Sequence, residues 1–71
     1  MEYLVVVEKG ATSYGAYVPD LPGCVAAGDT KRKVMKLIRE AIALHLDALR
    51  QSGQPIPRPT SKSETIKVRA A

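Results

Sequence analysis

The sequence predicts an α+β domain with the element order β-β-β-α-β, in which one long helix packs on one face of a four-stranded mixed sheet. Three observations predict this class. Short β-branched and aromatic runs fill the chain before residue 29, an apolar stripe of helical period follows, and an alternating run of polar and apolar residues comes last. The chain is 71 residues long, so we expect residues 1–71 to form a single domain with a small core.

The first two strands are predicted from residues 3–8 and 14–18. The first run is apolar and β-branched without a helix-period gap, which is typical of a strand buried on both faces. Residues 9–13 are small and polar and have the length of a hairpin loop. Tyr14 and Tyr17 are three positions apart in the second strand, so one should pack under the helix and the other should lie on the opposite, open face.

A corner of unusual composition joins the second and third strands at residues 17–26. Pro19 and Pro22 fix their own φ and favour extended geometry in the residue before each of them. Pro22 and Gly23 suit the two central positions of a type II turn, the second of which needs a positive φ. We therefore expect a rigid corner, after which residues 24–28 form the third strand.

A long helix is predicted from Lys31 to about Gln51. Thr30 suits the N-cap position, and Gly53 suits the position just after the C-terminus. The stripe that should face the sheet consists of Val34, Leu37, Ile38, Ala41, Ile42, His45, Leu46 and Leu49. At about 1.5 Å per residue such a helix is about 30 Å long, which is enough to cross a small sheet.

The proline-rich residues 54–60 can return the chain along the helix to the sheet. Residues 64–69 alternate polar and apolar side chains, which predicts an edge strand with Lys67 and Arg69 pointing outward. Because a crossover through a helix is right-handed, we expect the sheet order 3-2-1-4. One helix covers only one face, so the open face or the edge of strand three is expected to meet a second copy in a homodimer.

The composition argues against several classes of protein. A single cysteine, Cys24, cannot form an intramolecular disulfide, and one cysteine with one histidine does not supply a zinc site. The apolar N-terminal run is too short to span a membrane and lacks the features of a signal peptide. We therefore expect a cytoplasmic protein that makes no membrane contact and uses no cofactor.

The sequence does not predict an enzyme. Its seven carboxylates lie mostly in loops or at strand ends and do not suggest the converging acids of a two-metal nuclease. His45 falls on the apolar helix stripe, with Ala41 and Leu49 one turn away, and is interpreted as a packed histidine. Cys24 has no neighbour in sequence that would activate its thiol, and is interpreted as a small buried residue.

The formal net charge is +4, and the most concentrated charge is a basic cluster at the helix start. The basic cluster consists of Lys31, Arg32, Lys33 and Lys36. Backbone N–H groups at a helix start, together with four cations, can hold a phosphate, so a nucleic-acid-binding module is one hypothesis. No aromatic residue is interleaved for base stacking, and a solvated helix face is the favoured interpretation.

The corner and the helix start together resemble the HicB antitoxin family. The resemblance is carried by Pro-Asp-Leu-Pro-Gly-Cys at residues 19–24, by Gly-Asp-Thr at 28–30, by Arg-Glu-Ala at 39–41 and by Gly-Gln-Pro-Ile-Pro at 53–57. It extends from about Tyr3 to Val68, which is nearly the whole chain.

This resemblance implies a partial ribonuclease-H-like fold and the role of an antitoxin, which binds and masks a small messenger-RNA-cleaving toxin of the HicA type. Members usually append a DNA-binding segment, and we expect this chain to correspond to the N-terminal domain without that tail. Tyr17 on the sheet, and Asp20 and Leu21 at the tip of the corner, are the predicted toxin contacts. A solitary family member of other function remains an alternative.

Overall fold

The computed structural model describes residues 1–70 of the chain. Three strands precede one helix: β1 covers Val6–Lys9, β2 covers Tyr14–Tyr17, β3 covers Val25–Gly28 and α1 covers Lys31–Gln51. The strands form an antiparallel meander in the order β1-β2-β3. The predicted α+β class, the three-stranded meander and the helix are therefore confirmed.

One face of the sheet belongs to the core. Val7, Ala16 and Ala26 are paired across the three strands, and all three pack in the apolar cluster that includes the helix. Tyr14 also packs against this cluster, as one of the two tyrosines was predicted to do. The helix lies chiefly over β3 and β2, so β1 forms the less covered side of this layer.

The opposite side of the sheet, which we call the open face, carries no helix. Strand side chains alternate, so the row beside the core-facing one points to this side. That row is Val6, Tyr17 and Val25, and the next row on the same side is Glu8, Gly15 and Ala27. Tyr17 thus lies on the open face, opposite to Tyr14.

The corner between β2 and β3 is built from two consecutive β-turns. The Leu21 N–H donates to the Val18 carbonyl over 3.0 Å, and the Cys24 N–H donates to the Leu21 carbonyl over 3.0 Å. The Val18 N–H closes the base of the corner by donating to the Cys24 carbonyl over 3.2 Å. Gly23 has a φ of 86°, the left-handed value that the second central position of a type II turn requires.

This corner places Leu21 in the centre of the core. The side chains of Leu21, Val34 and Ile38 have no exposed surface, which makes them the most deeply buried large residues described. The remaining buried residues are Ala16, Val18 and Cys24. The core therefore joins the corner to the first half of the helix, and the sheet supplies one wall of it.

The helix ends follow the sequence signals. The Thr30 hydroxyl accepts a hydrogen bond from the Lys33 N–H over 3.0 Å, which is an N-cap contact. Gly53 has a φ of 73°, as expected of the residue that ends a helix in the left-handed region. The first helical turn contains no acidic residue, so no side chain there compensates the positive end of the helix dipole.

The predicted fourth strand is not formed in this structure. The described part of the chain has no strand after the helix, so the sheet order is 3-2-1 instead of 3-2-1-4. Ile66 and Val68, which were to pack in that strand, are 83% and 79% exposed. The segment after the helix is instead attached to the corner between β2 and β3, where Asp20 accepts hydrogen bonds from the Thr60 and Ser61 N–H groups over 2.9 Å each.

β1 is also shorter than predicted, because it begins at Val6 and not at Tyr3. The Val18 N–H points towards the β3 side and donates to the Cys24 carbonyl, and the next residue whose backbone faces β1 is Pro19, which has no N–H to donate. The corner therefore limits the length of the β1–β2 ladder.

Replacing Leu21 by alanine is expected to lower the free energy of unfolding by about 2–5 kcal/mol, because the lost methyl groups leave a cavity between the corner and the helix. The control is Leu44→Ala on the helix, where the side chain is 70% exposed and the change should stay within about 0.5 kcal/mol. Urea unfolding followed by circular dichroism measures both. Equal losses for the two variants would contradict the central position of Leu21.

Candidate interaction surface

Three apolar side chains form a row across the open face. Tyr17 is 40% exposed and Val25 is 64% exposed, while Val6 is half-buried. All three lie in direct cross-strand register, so they form one continuous strip. A tyrosine offers a large apolar body with a polar tip, which is the combination that protein interfaces favour. We call Val6, Tyr17 and Val25 the apolar row.

The neighbouring row on the open face, Glu8, Gly15 and Ala27, contains two residues with little or no side chain. At its centre, a Cβ added to Gly15 would meet no atom closer than the Ala26 carbonyl oxygen, 4.0 Å away. Ala27 beside it is small and exposed, and Glu8 on the other side is exposed and acidic. The open face therefore combines a protruding apolar row with a shallow area at Gly15 and Ala27, which we call the step. At the step a partner can approach the sheet backbone.

Asp20 at the tip of the corner accepts four hydrogen bonds from the segment that follows the helix. Its Oδ2 accepts from the backbone N–H groups of Thr60 and Ser61, each over 2.9 Å. Its Oδ1 accepts from the hydroxyl groups of the same two residues over 3.0 and 2.8 Å. We call this set the Asp20 clamp. Nearby along the segment, the Tyr3 hydroxyl donates to the Pro57 carbonyl, so both contacts attach the return segment to the body.

The Asp20 clamp lowers the pKa of the Asp20 carboxyl from 3.8 to about 2. The largest cause is the Ser61 backbone N–H; partial burial opposes it, and the Ser61 hydroxyl and the two Thr60 groups lower the pKa further. Hydrogen bonds to a carboxylate favour its charged form. Asp20 is therefore an ionised structural group near neutral pH.

The three predicted toxin contacts have different surroundings. Tyr17 is accessible on the open face, while the Asp20 carboxylate is occupied by its clamp. Leu21 is fully buried, so on the folded domain its side chain does not reach a partner. Leu21 was predicted to lie at the tip of the corner, but the two turns direct this side chain inward. Val25 was missed, although its position opposite Tyr17 in a meander was a usable signal.

The basic cluster is solvent-exposed. Lys31, Arg32 and Lys33 occupy the first turn of the helix, and Lys36 follows one turn later. An open depression of about 610 Å³ is lined by Thr30, Arg32, Lys33, Lys36, Leu37, Arg39 and Glu40. The ion pair found among residues 1–70 joins Arg50 to Asp47 over 3.3 Å, far along the helix from this cluster. The four cations therefore project into solvent without a carboxylate partner among the described residues.

The remaining candidates for chemistry are dispersed. Burial raises the pKa of the Cys24 thiol, which fits the prediction of an unreactive buried cysteine. His45 is half-buried on the helix. Within residues 1–70, no three His, Cys, Asp or Glu side chains come together as metal ligands would. The helix in this part of the chain is also not apolar enough along its length to span a membrane.

The fold is that of a known type of interaction domain. The structure matches a chain of a solved HicA3 and HicB3 toxin–antitoxin complex with a TM-score of 0.71 and 35% identity, covering 84% of this chain and 70% of that chain. Residues 3–70 also match a family model described as HicB-like antitoxin of bacterial toxin–antitoxin system. The protein belongs to this family of HicB-like antitoxins, as the corner and helix-start motifs predicted.

Individual relatives differ in length. A UPF0150 protein of the archaeon Thermoplasma acidophilum is 34% identical over 93% of this chain and 97% of its own length. An uncharacterised 14.9 kDa protein of Haemophilus phage HP1 is 36% identical over 82% of this chain. Antitoxin HicB 2 of Photorhabdus laumondii is 28% identical over 93% of this chain. The matches span only 44% and 48% of the phage protein and the Photorhabdus antitoxin, so this chain corresponds to about half of each.

Acid should weaken the Asp20 clamp in a defined window. Because the pKa of Asp20 is lower in the folded protein than its ordinary value of 3.8, its contribution to stability is present above about pH 4 and is lost as the pH falls towards 2. Urea unfolding from pH 7 to pH 2 should therefore show a stability difference between wild type and Asp20→Asn that shrinks across this window.

The control for this experiment is Asp29→Asn, because Asp29 is an exposed carboxylate outside the clamp. That variant should keep the clamp-dependent fall in stability between pH 4 and 2. NMR titration of the Asp20 carboxyl provides the direct measurement. A midpoint near 3.8 would show that the four hydrogen bonds do not persist in solution.

Proposed function

We propose that this protein is a non-catalytic antitoxin domain that binds a HicA-type toxin through its open face and masks the toxin's RNA-cleaving surface. The observation that carries this proposal is the structural match to a chain of the HicA3 and HicB3 complex at 35% identity. Membership of the HicB-like antitoxin family over residues 3–70 supports the same role.

The open face is the proposed toxin-binding surface because of its exposed apolar area. Tyr17 and Val25 are two of the large apolar residues exposed on this small domain, and they are adjacent in the apolar row. Interfaces concentrate their binding energy in a few buried aromatic and aliphatic anchors. The low step at Gly15 beside that row gives a protruding partner side chain room to reach the sheet.

Charge also favours the open face over the helix face. A toxin that cleaves messenger RNA must attract a polyanion, so its active surface is expected to be cationic. The two rows of the open face carry one charged residue, the exposed and acidic Glu8. The basic cluster lies at the start of the helix, where it would repel such a toxin. The net charge of +4 is thus compatible with toxin binding, because the two surfaces have opposite character.

A cytoplasmic location completes the proposal. Cys24 is a free, buried thiol, and a cysteine left unpaired suits a reducing compartment. A toxin that acts on messenger RNA would be met in the same compartment. We also propose that the chain acts as a homodimer.

Placing a positive charge in the apolar row should weaken toxin binding. Val25→Lys or Tyr17→Lys is expected to weaken the complex at least about tenfold, because the added cation would be buried against a cationic toxin surface. The assay is titration calorimetry with the HicA-type toxin encoded beside this chain's gene, together with rescue of toxin-arrested growth. Leu44→Lys is the matched control, since Leu44 is 70% exposed but lies on the helix.

Gly15→Val tests the same surface through shape instead of charge. The added side chain meets no atom closer than about 4.0 Å at its Cβ, so the fold should tolerate it, yet it fills the step beside the apolar row. Toxin affinity should fall while the urea midpoint changes little. If Leu44→Lys impaired binding and the variants of Val25, Tyr17 and Gly15 all retained it, the toxin would be bound by the helix side and this assignment of the surface would be wrong.

A second candidate function is binding to a nucleic-acid backbone through the basic cluster. The observation that favours it is the exposure of Lys31, Arg32, Lys33 and Lys36 around the depression on the helix face. Salt titration of RNA binding separates this function from toxin binding, because each phosphate contact adds about 0.7–0.9 to the slope of log affinity against log salt. Reversal of all four charges to Glu should then lower both the affinity and the slope.

The matched control for that titration reverses Lys9, Arg58, Lys62 and Lys67 to Glu, which changes the net charge equally at other places. If both quadruple variants lose affinity to the same extent, the interaction is a general effect of net charge. If neither variant changes the affinity, the basic cluster has no role in binding RNA.

A further inference from the structure

The segment after the Asp20 clamp, residues 62–70, has the sequence of a strand and no partner in the structure. We call this segment the arm. Ile66 and Val68 alternate with Thr65, Lys67 and Arg69, which is the period of a one-sided strand. Nevertheless Ile66 is 83% exposed and Val68 is 79% exposed. Within the described residues, no backbone hydrogen bond joins the arm to the rest of the chain.

The arm is firmly attached at its root. The Asp20 clamp holds Thr60 and Ser61 by four hydrogen bonds, and Tyr3 holds Pro57. The arm therefore leaves the body at a defined place, next to the corner and the start of the chain. A segment fixed at its root and apolar on one side is presented to solvent in a set position, which reduces the conformational entropy lost when it binds.

The outer edge of β1 has no neighbouring strand, just as the arm has no partner strand. β1 pairs with β2 on one side only, and its other side is an edge of the sheet. Along this edge the core-facing side chains of Tyr3, Val5 and Val7 are only half-buried, because the helix lies over β3 and β2. A strand added beside β1 would bury these side chains further and would satisfy the unpaired backbone groups.

We infer that the arm of one molecule adds as a fourth strand to the outer edge of β1 in a second copy, and that the exchange is reciprocal. Ile66 and Val68 then pack beside Val5 and Val7 of the other copy, which completes that part of the core. A two-fold arrangement makes both exchanges at once, so each copy gains one strand. The inference goes beyond toxin binding and does not depend on it.

The charges of the two partners are complementary. The arm carries Lys62, Lys67 and Arg69 against one acid, Glu64. The first strand region contains two exposed acids, Glu2 and Glu8, and one exposed cation, Lys9, so its net charge is opposite in sign to that of the arm. Opposite charges across a strand pair stabilise it, and their attraction also favours one pairing over others. The edge of β3, the other free edge, is followed by the basic cluster and would repel the arm.

The dimensions of the chain indicate a second copy as the partner. The radius of gyration is 14.3 Å, compared with about 11 Å for a compact chain of this length. The long axis extends over 52 Å while the thinnest dimension is only 16 Å. In its own chain the arm remains exposed and unpaired, although the segment before it contacts Tyr3, which precedes β1 by three residues. When two copies exchange arms, each extended segment lies against the sheet of the other copy. The pair therefore buries a larger share of its surface than one copy alone.

Arm exchange leaves the open face accessible. An added strand lies in the plane of the sheet and extends its edge, so it does not cover the apolar row of Val6, Tyr17 and Val25. The dimer would therefore present two open faces and could hold two toxin molecules.

Light scattering tests the exchange in the intact chain. We expect a mass of about twice 7.7 kDa at high micromolar concentration, and a monomer for the double variant Ile66→Asp/Val68→Asp. Both positions are exposed in the single chain, so circular dichroism of the variant should still report the helix. The conservative variant Ile66→Leu/Val68→Leu and the helix variant Leu44→Asp should stay dimeric. A wild-type monomer, or a dimer that survives the two aspartates, would overturn the inference.

Photo-crosslinking identifies the acceptor. With p-benzoylphenylalanine in place of Ile66, irradiation should give a covalent product of about twice 7.7 kDa, and peptide mapping should place the link within residues 2–9. A link that forms only within one chain would show that the arm folds back onto its own β1. A link to the helix of the second copy, or one that forms only when the HicA-type toxin is added, would assign the arm to another partner. Each of these three results overturns the inference.

Discussion

The structure depends on the corner between β2 and β3, where two successive β-turns force one residue inward and its neighbour outward. Leu21 enters the core and contributes the burial that joins the sheet to the helix. Asp20, one residue earlier, stays at the surface and binds the segment that follows the helix. Because Val18 and Leu21 are tied by hydrogen bonds within the corner, neither residue can move without breaking these turns. A domain with so few fully buried residues depends strongly on each such contact.

The same corner separates the surfaces of the protein. By setting the register of β2 against β3, it places Tyr17 opposite Val25 and brings the two side chains to the open face together. The chain then enters the helix, whose first two turns carry the basic cluster away from that face. A chain with a net charge of +4 can therefore offer an apolar and locally acidic surface to a cationic partner. Net charge alone would have argued against this role, because it averages over surfaces that face in different directions.

Local signals predicted much of the fold and only part of the site. The helix limits, the Thr30 cap and the positive φ of Gly23 follow from short-range chemistry, and the structure contains all of them. The position of Tyr17 followed from strand alternation. The burial of Leu21 did not, because turn geometry and not residue type decides which way a side chain at a corner points. The Asp20 clamp was not predicted either, because Asp20 and its partners Thr60 and Ser61 are about forty positions apart in the sequence.

The sequence by itself determined the family, the order of the first four elements and the chemistry available at each position, because these depend on local composition and short motifs. Only the tertiary structure decided what the residues after the helix do. Their alternating pattern is that of a strand, but a strand needs an edge and an apolar cover, and both are long-range properties. In the single chain the helix covers β3 and β2, the return segment is held at Asp20, and Ile66 and Val68 remain in solvent.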